Sequence, residues 1–208
     1  MISFKAKLIG ETTIKRYNNE KYAYEDCPAY FIRFNKHSKT DLKSIETVSA
    51  LWHPREKYAK NIAKNFCHEY QKKFNNAYND NFFAITLQNN HFENIDPEKV
   101  LGMAEALKKR KTFYLDFLQV HPNYSFGVLR RKFKNVGSAI IESMKNMPRI
   151  KDIILVPNSF SIGFYKECGF EEKFGMMQYT SEKNRSFFKN LLNKSSKEMV
   201  QINLELIP

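Results

Sequence analysis

Cysteine, glycine and proline are all scarce in this chain of 208 residues. The three cysteines, Cys27, Cys67 and Cys168, are odd in number and far apart, and no C-x-x-C pair is present. This spacing argues against a disulfide framework and against a zinc site built from paired cysteines. With only 7 glycines and 7 prolines, a long flexible linker is not expected, and the sequence predicts one domain over residues 1–208.

Long hydrophobic runs are also missing. The first residues, MISFKAKLIGETTIKRY, lack the apolar stretch of a signal peptide. No segment approaches the roughly 18 apolar residues that a membrane span needs. We therefore expect a soluble protein of a reducing cytoplasm that has no membrane as a partner.

Basic residues, in contrast, are in excess. Lys and Arg number 34 against 22 Asp and Glu, which gives a formal charge of +12. A charge of this size predicts attraction to an anionic partner such as nucleic acid, a membrane surface or a polyphosphate cofactor. A coding sequence rich in A and T produces the same composition, so the charge alone does not identify the partner. Apolar residues make up 42% of the chain, which is enough for a packed core.

The periodicity of apolar residues predicts an α/β fold with a mixed sheet. In the strand at 112–120, the adjacent apolar residues Phe117 and Leu118 break the alternation, as a bulge, a splay or burial on both faces would do. Predicted strands lie at 2–8, 30–34 (after a break at Pro28), 82–87, 99–107, 112–120, 150–156, 174–180 and 200–206. The three strands at 82–87, 99–107 and 112–120 are predicted to form an antiparallel meander. Predicted helices lie at 41–52, 54–74 (with Tyr58 in its core stripe), from about 137 to 147, 159–168 and 181–194.

Three motifs follow one another in the second half of the chain. LQVHP (118–122) ends a strand, and KNVGSA (134–139) places a glycine among small residues where a helix begins. Such a helix start offers unpaired amides to a diphosphate, although tight packing also explains small residues there. The third motif, NSFSIGFYKECGF (158–170), carries an Asn, a Tyr seven residues later and a Gly-Phe pair.

In this order, the motifs resemble those of the GNAT family, the Gcn5-related N-acetyltransferases. The family patterns are L-x-V-x-P, [QR]-x-x-G-x-[GA] and N-x-x-[SA]-x-x-[LF]-Y-x-x-x-G-F, and the resemblance covers about residues 80–180. It implies a GNAT-like acyl-CoA N-acyltransferase fold, in which helices flank a mixed, mostly antiparallel central sheet that is splayed at the cofactor strand. Two features depart from the family: Lys134 replaces Gln or Arg, and SFGVLRRKF (125–133) is inserted before the phosphate loop. Residues 1–78 match nothing specific and are expected to shape the acceptor site.

The resemblance implies an enzyme that transfers an acetyl group from acetyl-CoA to a primary amine by direct attack in a ternary complex, without a metal. Tyr165 would protonate the leaving thiolate, since a phenol with a pKa near ~10 keeps its proton at neutral pH. Asp116 or Glu105 would act as the base through water. Each of these residues also has an ordinary interpretation, as a packed helix aromatic or as a strand carboxylate.

The resemblance also implies a set of cofactor contacts. The backbone near Leu118 would bind the pantetheine arm and the oxyanion, the amides of the phosphate loop would bind the diphosphate, and Asn158 would anchor the pantetheine from the other side. The implied cofactor-binding residues are Leu118, Gln119, Val120, Lys132, Lys134, Asn135, Val136, Gly137, Ser138, Ala139, Asn158, Ser161 and Tyr165.

The acceptor stays open at this point, as does the choice between a monomer and a homodimer. A small molecule or a protein is favoured as the acceptor. The charge of +12 would suit an acyltransferase toxin directed at tRNA or other nucleic acid, but the additional N-terminal region argues against it, so RNA is not the favoured partner. A third alternative is a non-catalytic module that binds acyl-CoA or nucleic acid.

Overall fold

The computed structural model describes residues 5–52, 57–72, 80–125, 128 and 130–181. These residues form nine strands that join in one sheet, together with four helices and two short 3-10 turns at Pro97–Lys99 and Pro122–Tyr124. The strands are β1 (Lys7–Asn18), β2 (Ala23–Phe34), β3 (Asp80–Thr86), β4 (Val100–Lys109), β5 (Thr112–Val120), β6 (Phe133–Lys134), β7 (Asp152–Leu155), β8 (Glu171–Lys173) and β9 (Met176–Thr180). The helices are α1 (Lys39–Trp52), α2 (Lys57–Gln71), α3 (Val136–Lys145) and α4 (Ile162–Glu167).

The strands lie in the order β6-β1-β2-β3-β4-β5-β7-β9-β8. Every neighbouring pair is antiparallel except β5 and β7, which run parallel. The predicted meander is present as β3-β4-β5. The predicted α/β fold with a mixed, mostly antiparallel sheet is therefore confirmed.

Helices cover both faces of the sheet and create two cores. One core packs α1 and α2 on one face, and the other packs α3 and α4 on the opposite face. In β3 the neighbouring residues Phe82 and Phe83 point to opposite cores, where Phe82 meets Phe66 of α2 and Phe83 meets Phe113 of β5. Each buried phenyl ring contributes roughly 1.5–3 kcal/mol to stability. A strand covered on both faces carries a continuous apolar run, as β3 does at 82–85.

The helices are short, with 14, 15, 10 and 6 residues in chain order. The apolar stripe predicted for the first helix is buried at Ile45, Val48 and Trp52, whereas Leu51 points outward. Gly169 adopts a positive φ of 77° directly after α4, as its predicted role of helix stop requires. Among the residues that the structure describes, no helix is long and apolar enough to cross a membrane.

Some sequence expectations differ from the structure in the first half of the chain. Pro28 does not break the chain but lies inside β2, opposite Thr13. Pairing of β2 with β3 begins only at Tyr30, so the missing N–H of Pro28 removes no hydrogen bond to β3. The short strands β6 and β8 carry too few residues for a periodic signal. The predicted helix at 181–194, the strand at 200–206, Ile2 and Phe74 lie outside the described residues.

The inserted segment 125–133 returns to the edge of the sheet. Its end forms β6, which pairs with β1 through Lys134 and Phe133. The amide of Tyr17 donates to the carbonyl oxygen of Lys132 at 2.9 Å, and the buried ring of Phe133 packs against Tyr124. The insertion therefore joins the far half of the β1–β2 hairpin to the start of α3.

Candidate active site

The parallel strands β5 and β7 stay together over only three residue pairs, from Thr112 and Asp152 to Tyr114 and Ile154. β5 continues to Val120, whereas β7 ends at Leu155. The side of β5 that faces β7 therefore has no strand partner beyond Tyr114 among the described residues. The sheet is splayed at this strand, as predicted.

A bulge coincides with the splay. On β5, Leu115 pairs with Ala106 and Phe117 pairs with Glu105, so Asp116 is the extra, unpaired residue. A bulge of this kind re-aims side chains and bends its strand. The adjacent apolar residues at 117 and 118 were the sequence signal for it, and the prediction is confirmed.

A cavity of about 150 Å³ occupies the splay. Three segments line it: the bulged part of β5, the loop from β7 into α4, and the start of α2. Its lining residues are Tyr58, Asp116, Phe117, Leu118, Val156, Pro157, Asn158, Ser161, Phe164 and Tyr165. Five of the residues that the sequence singled out thus lie around one cavity: Asp116, Leu118, Asn158, Ser161 and Tyr165.

Tyr165 is buried in the wall of this cavity. Its ring packs against Phe164, with centroids 5.0 Å apart, and against Phe170 at 5.5 Å. Burial is the main cause that raises the pKa of the Tyr165 phenol above its ordinary value, and the nearby Cys168 and Tyr58 raise it further. The phenol therefore keeps its proton at neutral pH and is able to donate it to an anion in the cavity.

The two carboxylates considered as bases have different surroundings. Asp116 lines the cavity, and its pKa is raised by burial and then by the charge of Asp80. Glu105 does not line the cavity: it is 5% exposed on β4, and Asn65 of α2 donates to both of its carboxylate oxygens, at 3.0 and 3.1 Å. Burial raises the pKa of Glu105 to about 8, against the opposing effect of the Asn65 hydrogen bond. At neutral pH Glu105 therefore holds a proton, and Asp116 has direct access to the cavity.

Glu105 makes the stability of the protein depend on pH. Its carboxyl ionises near 4.5 in the unfolded chain but near 8 in the folded protein, so stability falls as the pH rises between these values. One pKa unit corresponds to about 1.4 kcal/mol, so the loss over this difference of roughly 3.5 pKa units reaches up to about 5 kcal/mol at pH 9. We expect Glu105→Gln to remove most of this loss, so that the variant is more stable than the wild type at pH 9 and loses this advantage toward pH 5.

Urea unfolding measured at intervals from pH 5 to pH 9 gives the two stability curves. Glu46→Gln, at an exposed position of α1, is the matched control and should run parallel to the wild type. Parallel curves for Glu105→Gln and the wild type would show that Glu105 is ionised in the folded protein throughout this range.

The phosphate loop forms the start of α3. Asn135 precedes the helix in the left-handed conformation, with φ at 64°, and the first intrahelical hydrogen bond runs from the amide of Ala139 to the carbonyl oxygen of Asn135 at 2.9 Å. The amides of Val136, Gly137 and Ser138 come before this bond and have no acceptor within the helix. The Ala139 amide is already used inside the helix, and its expected contact with the diphosphate stays a prediction.

Gly137 is tightly packed in this loop. A Cβ at this position would lie 3.2 Å from Cζ of Phe164 and 3.5 Å from Cγ2 of Val120. The sequence left two reasons for this glycine, the close approach of a diphosphate and tight packing. The structure supports tight packing, because a larger residue here would press on Phe164 of α4 and on Val120 at the end of β5. A bulky substitution at Gly137 would therefore disturb the fold as well as the loop.

Several predicted cofactor residues do not line the cavity. Gln119 is buried and its side chain donates to the carbonyl oxygen of Val120 at 2.8 Å. Lys134 places its ammonium 3.9 Å from the centre of the Tyr24 ring, on the β1–β2 hairpin. Lys132 is exposed in the segment leading to β6. Cofactor roles for these three residues stay predictions.

Two side chains of this region were missed by sequence reasoning. Tyr58, taken as part of the core stripe of α2, is 39% exposed and lines the cavity, with its ring 5.6 Å from that of Phe117. Lys145 is nearly buried, pairs with Glu142 at 2.6 Å, and donates to the carbonyl oxygen of Cys168 at the end of α4. Lys145 thereby fixes the helix that carries Tyr165. Its i, i+3 spacing from Glu142 was the only sequence signal.

The strands and helices around the cavity form a single site. A bulged strand leaves its parallel neighbour, a helix with unused amides begins beside the end of that strand, and α4 closes the cavity with a tyrosine. The described residues thus have the mixed, mostly antiparallel sheet, splayed at its cofactor strand, that the resemblance to the GNAT family implied.

Comparisons with known proteins give similar folds at low sequence identity. No protein-family model and no curated protein sequence matches the chain. Among solved structures, the PaiA N-acetyltransferase of Thermoplasma acidophilum in complex with coenzyme A is 18% identical, with a TM-score of 0.44 over 74% of this chain and 99% of that one. The ribosomal-protein-S18-alanine N-acetyltransferase of Escherichia coli is 17% identical, with a TM-score of 0.44 over 73% and 93%. A chimera of the spermidine N-acetyltransferase SpeG from Vibrio cholerae and hSSAT is 15% identical, with a TM-score of 0.47 over 74% and 96%.

Proposed function

We propose that this chain is a GNAT-family N-acetyltransferase that transfers the acetyl group of acetyl-CoA to a primary amine by direct attack in a ternary complex. One observation carries the proposal: the cavity at the splay brings a carboxylate, a buried phenol and an unpaired strand edge together. A packed core needs none of the three at such a position. Asp116 and Tyr165, which both line this cavity, supply a proton acceptor and a proton donor.

The chain offers three elements to an acyl-CoA. The free edge of β5 around Leu118 and Val120 has backbone groups that can bind the amides of a pantetheine arm as a further strand would. The first amides of α3 and the positive end of its dipole suit a diphosphate. Asn158, on the loop across the cavity, faces the same space. Together these elements would position the thioester next to Asp116.

The proton transfers follow from this placement. Asp116 takes a proton from the ammonium of the acceptor, and the neutral nitrogen attacks the thioester carbon. The backbone N–H of Leu118 donates to the oxyanion of the tetrahedral intermediate. When the carbon–sulfur bond breaks, Tyr165 gives its proton to the thiolate. The nitrogen releases its second proton to solvent, and the products are an amide and free CoA. Tyr165 regains a proton from solvent, and Asp116 loses one to it.

The charges around the cavity favour a cationic acceptor. Asp116 is the only carboxylate among its ten lining residues, and none of the ten is Lys, Arg or His. The excess of basic residues in the sequence therefore does not extend to the described residues that line the cavity. Asp80 adds a second negative charge close enough to raise the pKa of Asp116. An ammonium group is attracted to this position, and an anionic acceptor is repelled.

CoA binding is the first test of the proposal. We expect saturating acetyl-CoA to raise the melting temperature of the wild type, because the ligand binds only the folded chain.

The Asn135→Asp substitution keeps the shape of the residue and its tolerance of a positive φ, and a negative charge before α3 favours the helix. The same charge repels a diphosphate, so we expect CoA affinity to fall about tenfold, measured by calorimetric titration.

Gln71→Glu is the matched control, since it adds one negative charge at the end of α2, on the other face of the sheet. It should bind CoA as the wild type does. If saturating CoA left the melting temperature of the wild type unchanged, the proposed function would be contradicted. An Asn135→Asp variant with full affinity would remove the start of α3 from the CoA site.

A further inference from the structure

We propose that an apolar rim at the mouth of the cavity binds the hydrocarbon part of the acceptor, so that the acceptor is a primary amine carried on an aryl or alkyl group. This inference rests on the proposed function and names the substrate class for the same site. The apolar rim consists of Val156, Phe160, Phe174 and Met176.

The exposure of these side chains is unusual. Phe160 is 98% exposed and Phe174 101%, while Val156 is 77% and Met176 41% exposed. Single exposed apolar residues occur on every protein and need no explanation, but a cluster of large ones marks a surface that binds something. The rim holds the two most exposed large apolar side chains of the described residues.

The register of the sheet and the loop after β7 bring these residues to the end of the sheet where Val156 lines the cavity. Leu155, the last residue of β7, pairs with Met177 of β9, so Val156 follows opposite Met176. Val156 itself lines the cavity. Phe160 lies in the loop between Asn158 and Ser161, both of which are lining residues.

Phe174 belongs to the same end of the sheet. It forms, with Gly175, the two-residue turn that joins β8 to β9 just beyond the Lys173–Met176 pair. Both turn residues have a positive φ, 53° at Phe174 and 75° at Gly175.

Local preference does not explain a phenylalanine in this turn. A two-residue turn with both φ values positive favours Asn or Gly at its first position, and other side chains are strained there. A strained residue that gains no contact in the folded chain indicates a contact made with something else. Phe174 gains none, since it is fully exposed.

The rim and the cavity together define a two-part acceptor. The carboxylate of Asp116 attracts the ammonium, while the rim, which reaches the same cavity through Val156, offers only hydrocarbon and aromatic surface. A second charge on the acceptor at this distance would lose its hydration without gaining a partner. A phenyl ring on the rim would remove apolar area from water, which corresponds to roughly a tenfold gain in kcat/KM.

The experiment compares two amines that differ only in a phenyl group, ethylamine and 2-phenylethylamine, at saturating acetyl-CoA. For the wild type, we expect kcat/KM for 2-phenylethylamine to exceed that for ethylamine about tenfold. In Phe160→Ser and Phe174→Asn this preference should disappear, while turnover of ethylamine stays as in the wild type. Phe174→Asn is the sharper variant, because Asn followed by Gly suits the turn and should not weaken the fold.

Tyr22→Asn is the matched control. Tyr22 is also an exposed aromatic residue with a positive φ at a hairpin tip, but it lies on the β1–β2 hairpin, away from the cavity. This variant should keep the full preference for 2-phenylethylamine. An unchanged preference in both rim variants would overturn the inference, and so would a preference equally lost in Tyr22→Asn.

Two further measurements separate the possible failures. If the rim variants lose turnover of octanoyl-CoA but not the preference between the amines, the rim binds the acyl chain and the inference is wrong. Binding of 2-phenylethylamine to the protein with CoA present is measured by calorimetry in parallel. Binding that depends on the rim without any turnover supports the rim and contradicts the proposed acetyl transfer. If 2-phenylethylamine binds the wild type and the rim variants equally, the inference about the rim is contradicted and the proposed acetyl transfer is not.

Discussion

Tyr165→Phe should lower kcat by about 10²–10⁴-fold while leaving CoA affinity unchanged, because this is the usual contribution of a general acid. Phenylalanine keeps the ring contacts with Phe164 and Phe170. It removes only the hydroxyl, whose proton is needed when the carbon–sulfur bond breaks. The loss therefore falls on the transition state and not on the ground state.

The measurement is steady-state turnover with any amine that the wild type acetylates, or slow hydrolysis of acetyl-CoA until one is found, together with calorimetric titration of CoA. Tyr179→Phe is the matched control, since Tyr179 also packs against Phe170 but does not line the cavity. Turnover of Tyr165→Phe at the wild-type rate would leave Tyr165 with a packing role only.

Asp116→Asn should reduce kcat/KM for a cationic amine by about 10²–10⁴-fold, because the amide cannot take the proton from the ammonium. The pH profile adds a second signature. Asp116 must be ionised to accept a proton, and its pKa is raised by burial and by Asp80. In the wild type, kcat/KM should therefore fall as the pH drops through this raised pKa, and the variant should lack that acid limb.

Asp80→Asn is an informative companion variant. It removes a negative charge that raises the pKa of Asp116, so the acid limb should move to lower pH while the maximum rate is retained. Profiles of kcat/KM against pH for the wild type, Asp116→Asn and Asp80→Asn test whether Asp116 causes the acid limb. An acid limb that is the same in wild type and Asp116→Asn belongs to another group, of which Glu105 is the first to examine.

Much of the fold could be predicted because its signals are local. The meander, α1 and α3 each carry an apolar pattern whose period is complete within the element. Even the bulge had a local signal, because Phe117 and Leu118 cannot both follow a strict alternation when Asp116 is the extra residue. Asp116, Leu118, Asn158, Ser161 and Tyr165 could be placed at one site because they stand at fixed positions within the three motifs.

What could not be predicted depends on contacts between distant segments. Pro28 fits inside β2 only because β3 ends before reaching it, and nothing near Pro28 in the sequence reports where β3 ends. Tyr58 has the spacing of a core residue, but the splay leaves no core beneath it. Lys134 occupies the first position of the phosphate-loop motif, yet its ammonium lies over the ring of Tyr24 from the other end of the chain.

The pairing of β6 with β1 also has a consequence for how the chain folds. The β1–β2 hairpin forms from neighbouring residues, but Lys15 and Arg16 are held by Lys134 and Phe133, which are made much later during synthesis. Until Phe133 is synthesised, the core around Ile14 lacks this residue. A contact between segments so far apart in sequence raises the contact order and slows folding. Refolding should therefore show an early hairpin whose outer half gains protection from hydrogen exchange only in the last phase, together with the start of α3.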